Sequence, residues 1–378
     1  MSTRTDMPSA RLAAGPGRVE PMTPAHLPEV LALYQRLWLK DKVCSPRAME
    51  EYFSGILFDH PWTDASIQSL VYRDAGGHVL GCMGMLPRRM TVDGRALRVV
   101  VSHNFMVDPD HRSPMVAIEL MKALFAGSQD VTIAEGNDLS RKLWERLGGS
   151  TALIHNFRWV RPLRPAEFVL NTLRGVGLPP FLQHAVRPFC RVVDHMVQRA
   201  GWKPFRYDQA GRSEDVSEQT LAELAARWAM PHWVWPQYDL VSLTWLFNML
   251  RRKRGIGTLR ARHVAGADGK TAGAFVYFAK PGGTSEVLQM LAAPQSIDAV
   301  LDHLFMDAWS QGSCAVSGQL EPRYMRDMTA RHCSFKHSGS WMLVHSRDAT
   351  LMNRIQRGHA YVSRLDGEWW IGLHEGTF

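Results

Sequence analysis

The stretch VDPDHRSPMVAIEL, residues 107–120, places a basic turn between a strand end and a helix start. A helix N-terminus presents unpaired backbone N–H groups and the positive end of the helix dipole, so it can hold an anion without special side chains. Arg112 and Ser113 stand at the opening. Pro114 suits a first helical turn, because the N–H it lacks would be unpaired there. The spacing of Val116, Leu120 and Leu124, with Ala117 and Met121 beside them, predicts a buried helix. Met115 is the weak point, since a glycine would let backbone approach an anion closely and methionine does not. Further on, Asn137 opens the helical stretch NDLSRKLWERLGG, where its side chain can cap the first turn.

These residues need strands and helices to hold them. VEPMTPAHLPEVLALYQRLW reads as a short strand and then a helix with Leu27, Val30, Leu31, Tyr34, Leu37 and Trp38 at helical spacing. Three strand-like runs follow, separated by DAGG and VDGR, which is hairpin chemistry. Then come the helix at 114–125, a strand in DVTIAEG, the Asn137 helix, and a strand in TALIHNFRWVRPL that closes the half. The second half repeats this order. It has helices in VSEQTLAELAARWAM and DLVSLTWLFNML, a hairpin turning at Ala267-Asp268-Gly269, then strand SEVLQML, helix SIDAVLDHLFMDAWSQG, strand CAVSGQL, helix EPRYMRDMTARH and strand SGSWMLVHS.

The order strand, helix, three antiparallel strands, helix, strand, helix, strand resembles the GNAT superfamily of acyl-coenzyme A N-acyltransferases. In that family the fourth strand ends in an R/Q-x-x-G-x-G/A turn that holds the coenzyme A pyrophosphate. The resemblance places Phe105, Met106, Val107, Arg112, Ser113, Met115, Val116 and Ala117 at the turn, with Met115 and Ala117 where the small residues belong. After the fifth strand the family has an Asn, a small residue three later and a Tyr seven later. Here these are Asn137, Ser140 and Trp144, so the first two would meet the pantetheine arm. An indole cannot do the proton-donating work of the Tyr phenol. The base that deprotonates the amine would come from the fourth or fifth strand, which singles out His103 and Glu135. A lone strand histidine is more often structural, and Glu135 beside Gly136 could equally be a solvated loop carboxylate.

A literal R-x-x-G-x-G, RKRGIG at 252–257, lies after a helix and before a strand, the reverse of the context a phosphate turn needs. It reads as a basic helix C-terminus stopped at Gly255. In the second half the corresponding turn, LAAPQSIDAV, has neither arginine nor glycine, and Asp298 and Asp302 disfavour an anion there. Its GQLEPRYMRD segment and His332, His337 and His345 could line a substrate pocket.

The chain has 378 residues, more than the ~150 of a typical single domain. With 46% hydrophobic and 21% charged residues it is a folded protein rather than a disordered one. The fold class implied by the resemblance is α/β (α+β), with two tandem GNAT-like mixed-sheet domains. The expected division is a disordered tail over 1–17, an acyl-coenzyme A-binding domain over 18–162, a helical linker over 163–204, and a degenerate second domain over 205–378 that could serve the substrate. The function implied is transfer of an acyl group, acetyl above all, from coenzyme A to a primary amine of a small-molecule acceptor. Two alternatives stay open, a Fem-type aminoacyl-tRNA-dependent transferase and a catalytically silent binding protein of the same fold.

The net charge of +8 suits an anionic ligand, although a stable nucleic-acid complex is not expected. Five widely spaced cysteines without a C-x-x-C pair indicate neither a disulfide framework nor a metal site. The N-terminal residues lack a signal-peptide h-region and no run is long and apolar enough to span a bilayer, so the expected location is cytoplasmic. The basic amphipathic linker can touch an anionic membrane peripherally, but packing between the two domains is its commoner fate.

Overall fold

The computed structural model describes residues 17–40, 44–111, 114–175, 180–199 and 211–371. The first half runs β1 (Arg18–Pro21), α1 (Leu27–Tyr34), α2 (Pro46–Leu57), β2 (Leu70–Arg73), β3 (Val79–Val92), β4 (Arg95–Val107), α3 (Pro114–Ala126), β5 (Val131–Gly136), α4 (Asp138–Arg146), β6 (Ser150–Thr151) and β7 (Phe157–Pro162). Turn chemistry sets the long hairpin. Asp93 and Gly94, at φ 51° and 77°, join β3 to β4 through two left-handed residues, which an Asp-Gly pair tolerates.

Helices α5 (Pro165–Gly175) and α6 (Pro180–Arg199) form the link. Asp194 of α6 accepts hydrogen bonds from the backbone N–H groups of Ala166 and Glu167, and Asn171 donates to the Gly282 carbonyl. Among the described residues the link packs on the second half, through Asn171 and Arg187 to the Gly282 carbonyl. Phe189 and Met196 stay exposed on its outer face.

The second half holds β8 (Arg212–Asp215), α7 (Glu218–Arg227), β9 (Trp235–Pro236), α8 (Leu240–Arg252), β10 (Thr258–Ala265), β11 (Thr271–Ala279), β12 (Thr284–Ala292), α9 (Ile297–Ser310), β13 (Ala315–Gln319), α10 (Met325–Ala330), β14 (Ser334–His337), β15 (Trp341–His345) and α11 (Ala349–Gln356). Helix α8 ends at Arg252 and Lys253 is already extended, so RKRGIG does follow a helix C-terminus, but the stop comes at Lys253 and not at Gly255.

Two mixed sheets result, and they exchange strands. The first has the order β1-β2-β3-β4-β5-β15-β6, with β9 pairing β3; the second is β14-β7-β13-β12-β11-β10-β8. The strand expected to close the first half, β7, thus lies in the second sheet, and β15 from the second half lies in the first. Packing explains the exchange better than chain order does. Trp159 of β7 is fully buried against Phe305 and lies over Gly318, where an added Cβ would come within 2.8 Å of the indole. Leu343 and Val344 of β15 are equally buried, and the Val344 carbonyl accepts a hydrogen bond from the Trp144 indole at 3.0 Å. One core spans both halves, joining Val71, Leu86 and Val101 to Leu243, Phe247, Leu288 and Trp370.

Candidate active site

Strands β4 and β5 pair in parallel only at Val99–Val101 with Val131–Ile133, and then separate. The register of β4 against β3 slips between Cys82 and Gly84, so β4 carries a bulge. Asn104 sits in it with φ 47°, a backbone state rare for residues other than glycine and met more often by asparagine. The separation opens a cleft of about 540 Å³ whose walls include Met83, Ser102, Asn104, Phe105, Glu135, Asn137, Ser140 and Trp144.

A segment not anticipated from sequence enters this cleft. After α11 the chain runs back through residues 360–371, and Glu368 and Trp369 join the walls. The Glu368 carboxylate accepts the Glu135 backbone N–H at 2.7 Å, and the Asn104 backbone N–H also faces it. Burial pushes the Glu368 carboxyl up to about 8, with the neighbouring Glu135 carboxylate adding to the rise and the two backbone donors opposing it. Glu135 is raised too, first by burial, while the Ser340 hydroxyl, which donates to it at 2.9 Å, pulls it back. Arg364 stacks on Trp369 with its guanidinium carbon 4.5 Å from the ring centre, fixing the far end of the segment.

The predicted site residues divide. Phe105, Glu135, Asn137 and Ser140 line the cleft. Asn137 caps α4, its Oδ1 accepting from the Leu139 and Ser140 backbone N–H groups at 3.0 Å each. Val107 and Ala117 are half-buried near the turn. Met106 and Val116 each belong to a hydrophobic cluster, so their side chains pack rather than bind. Met115 is 53% exposed at the start of α3. Arg112 and Ser113 lie outside the described residues. Beside them the Asp110 backbone N–H donates to Asp108 Oδ1, and Arg36 binds Asp108 at 2.8 Å and Asp110 at 3.2 Å, so the turn is tied down by its own carboxylates.

His103 is not among the residues lining the cleft. Its side chain projects from the opposite face of β4, over Gly84, and is 1% exposed. Burial and the nearby His60 hold its pKa down at about 3, so the imidazole is neutral. Its Nδ1 lies 3.2 Å from the Asn104 amide nitrogen, which makes it a support for the bulge. Alternation along β4 puts His103 on the face opposite its neighbour Ser102, which lines the cleft. Trp144 cannot replace the family phenol, since its N–H is committed to Val344.

The second half closes its equivalent gap. Strands β12 and β13 pair at Thr284–Val287 with Ala315–Gly318, and beyond that the returning segment fills the space. The Leu365 N–H donates to the Leu288 carbonyl at 3.1 Å and the Tyr361 hydroxyl to the Met290 carbonyl, leaving a cavity of only about 30 Å³. Arg331 bridges Asp298 and Asp302 at the start of α9. The three histidines do not converge, because His345 stacks on Phe125 in the first sheet's layer, His337 sits beside Trp341, and His332 follows α10. Among the described residues no group of His, Cys, Asp and Glu is placed to hold a metal ion, and no helix is long and apolar enough to cross a membrane.

No protein-family model matches the chain, and no curated protein matches it in sequence. Solved structures do match in shape. A conserved protein of unknown function from Enterococcus faecalis, described as a probable N-acyltransferase, superposes with a TM-score of 0.59 at 12% identity, covering 89% of this chain and 74% of that one. A GCN5-related N-acetyltransferase from Anabaena variabilis gives 0.57 at 12% identity, with 86% and 72% covered. Saccharomyces cerevisiae N-myristoyltransferase, solved with myristoyl-CoA, gives 0.51 at 11% identity, with 90% and 84% covered. The chain thus shares the mixed-sheet GNAT-like fold of these structures, in a two-domain arrangement.

Proposed function

We propose that the protein is an acyl-coenzyme A-dependent N-acyltransferase acting on a primary amine. The observation that carries this reading is the Asn104 bulge, which turns a backbone N–H into a cleft where a half-buried carboxylate, Glu368, already engages it. A backbone donor fixed in a buried site stabilises an oxygen as it gains negative charge, and does so without reorganising. Asn104, Asn137 and the walls at Phe105 and Trp144 fit a thioester on a pantetheine arm, with its carbonyl oxygen displacing Glu368 from the Asn104 N–H.

In this reading Glu368 stays bonded to the Glu135 N–H and takes the proton of the attacking amine. The new C–N bond forms as the C–S bond breaks, and the leaving thiolate needs one proton. A carboxyl at about 8 lies just below the ~8.5 of an ordinary thiol, so Glu368 can return the proton to sulfur without a tyrosine. Holding both reactants in one cleft supplies much of the rate. The test is calorimetry of the full chain with acetyl-, octanoyl- and myristoyl-coenzyme A, followed by free-thiol release with a panel of primary amines. Saturable binding and amine-dependent thiol release are expected. Absence of heat with all three thioesters at millimolar concentration overturns the reading.

A further inference from the structure

Between the two halves, on the face of β3 and β4 away from the cleft, buried N–H donors of Arg88, Trp62 and Trp370 lie without acceptors. Arg88 of β3 is 4% exposed. Its Nη2 donates to the Leu365 carbonyl at 2.6 Å, but Nε and Nη1 have no partner. Its guanidinium carbon lies 4.3 Å from the ring centre of Trp62, whose own Nε1 is unpartnered. Around them the Trp370 Nε1, the His60 Nδ1 and the His103 Nε2 are buried and equally unpaired. Trp245 ties the group together, with ring centres 5.3 Å from Trp62, 6.4 Å from His60 and 6.1 Å from Trp370.

Asp366 faces Arg88 closely enough for their charges to interact, but its oxygens take the Tyr238 hydroxyl at 2.6 Å and the Ser363 hydroxyl at 2.7 Å, so among the described residues it gives Arg88 Nε and Nη1 no hydrogen bond. A buried guanidinium bonded to one carbonyl and one aromatic face is costly unless an acceptor completes it. Water would bring as many donors as acceptors, whereas a carboxylate brings only acceptors, about four lone-pair sites on two oxygens.

We infer that this group of donors is the acceptor subsite, and that the amine the enzyme acylates carries a carboxylate at its other end, held by Arg88 and the indole N–H groups of Trp62 and Trp370. The inference rests on the acyltransferase reading for the role of the bound molecule, though not for the binding itself. The location fits that role. His103, which faces this group, hydrogen-bonds the Asn104 side chain at the bulge, and Glu368 lies between Asp366 and Trp370 in the segment shared by both sites. A molecule anchored at Arg88 would direct its other end toward the bulge and the Glu368 carboxylate.

The experiment uses the full chain and ω-aminocarboxylates from glycine to 6-aminohexanoate, each beside its carboxamide. Tryptophan fluorescence is titrated without any thioester present, since three indoles surround the subsite. One or more acids should give a saturable change, with the matching amide at least tenfold weaker. Arg88→Gln should weaken the acid at least tenfold while coenzyme A affinity holds. Trp62→Phe keeps the ring under the guanidinium but removes one N–H, and should weaken the acid several-fold even if the Arg88 variant fails to fold. Acids and amides binding alike, or neither binding, overturns the inference. Thiol release with amides as fast as with acids overturns it too, while leaving the acyltransferase reading intact. Arg88-dependent binding of acids, with no thiol release from any amine tested, would sink the acyltransferase reading and the acceptor role with it, and leave only the carboxylate subsite.

Discussion

At the scale of single residues, Glu368 brings burial, charge and a backbone donor together at one atom. If it is the base, Glu368→Gln should lower turnover by roughly 10²–10⁴-fold, the usual worth of a positioned proton acceptor, with little change in thioester affinity. The wild-type rate should rise with pH through about 8, because only the ionised carboxylate can take the amine's proton. The variant should lose that limb in a pH–rate profile. The same residue acts oppositely on stability. Its folded-state value lies above the unfolded one, so the folded chain holds a proton that the unfolded chain has released, and stability falls as pH rises from about 4.5 toward 8.

Lys253 shows the reverse sign. Its ammonium is 4% exposed, donates to the Tyr52 hydroxyl at 2.8 Å, and burial lowers its pKa to about 7. Between pH 7 and 10.5 the unfolded chain binds a proton that the folded chain does not, so stability is lost as pH falls through that window. Lys253→Met should flatten this slope and stabilise the protein near neutral pH by about 1–3 kcal/mol, the typical cost of burying such a polar group. Denaturant titrations at several pH values would show whether the slope survives. In the sequence this lysine is one of the three cations of RKRGIG; burial, which gives it its distinct chemistry, is a tertiary property that a charge run does not carry.

At the scale of elements, most helices and strands were legible because local chemistry and long-range packing agree on them. The Asp93-Gly94 turn, the Asn137 cap and the apolar stripe of α3 each dictate their element within a few residues. Strand partners were not legible, since β7 carries the same alternation whichever sheet it enters. The packing of Trp159 against Gly318 fixes that choice. Gly318→Ala would drive a methyl to 2.8 Å from the indole, and should destabilise the protein by about 1–3 kcal/mol through overpacking. An added Trp159→Phe, which removes the colliding atoms, should recover part of the loss in thermal denaturation. Full additivity of the two substitutions would show that the contact does not matter. The segment 360–371 escaped notice for a related reason. Its DGEWW run is an unusual pairing of a turn with two indoles, but nothing local says that it crosses from one cleft to the other.

At the scale of the whole molecule, the exchange makes each half structurally incomplete. Without β15 the inner edge of β5 would expose its backbone donors and acceptors between Thr132 and Gly136, and Trp144 would lose its carbonyl partner. Unpaired strand edges of that kind aggregate. The cleft would also lack Ser340, Leu343, Glu368 and Trp369. A chain ending at residue 162 should therefore be insoluble or bind no thioester, although it contains every residue of the turn before α3 and of the Asn137 helix. Co-expression with residues 163–378 should restore a soluble one-to-one complex, because the core shared by Val101, Leu246 and Trp370 and the two exchanged strands supply the interface. Size-exclusion chromatography of the co-expressed fragments, followed by acetyl-coenzyme A titration, measures both properties. If the first fragment alone proves monomeric, folded and able to bind thioester as tightly as the intact chain, then the exchanged strand and the returning segment are dispensable to the cleft, and Glu368 would lose its place in the proposed chemistry.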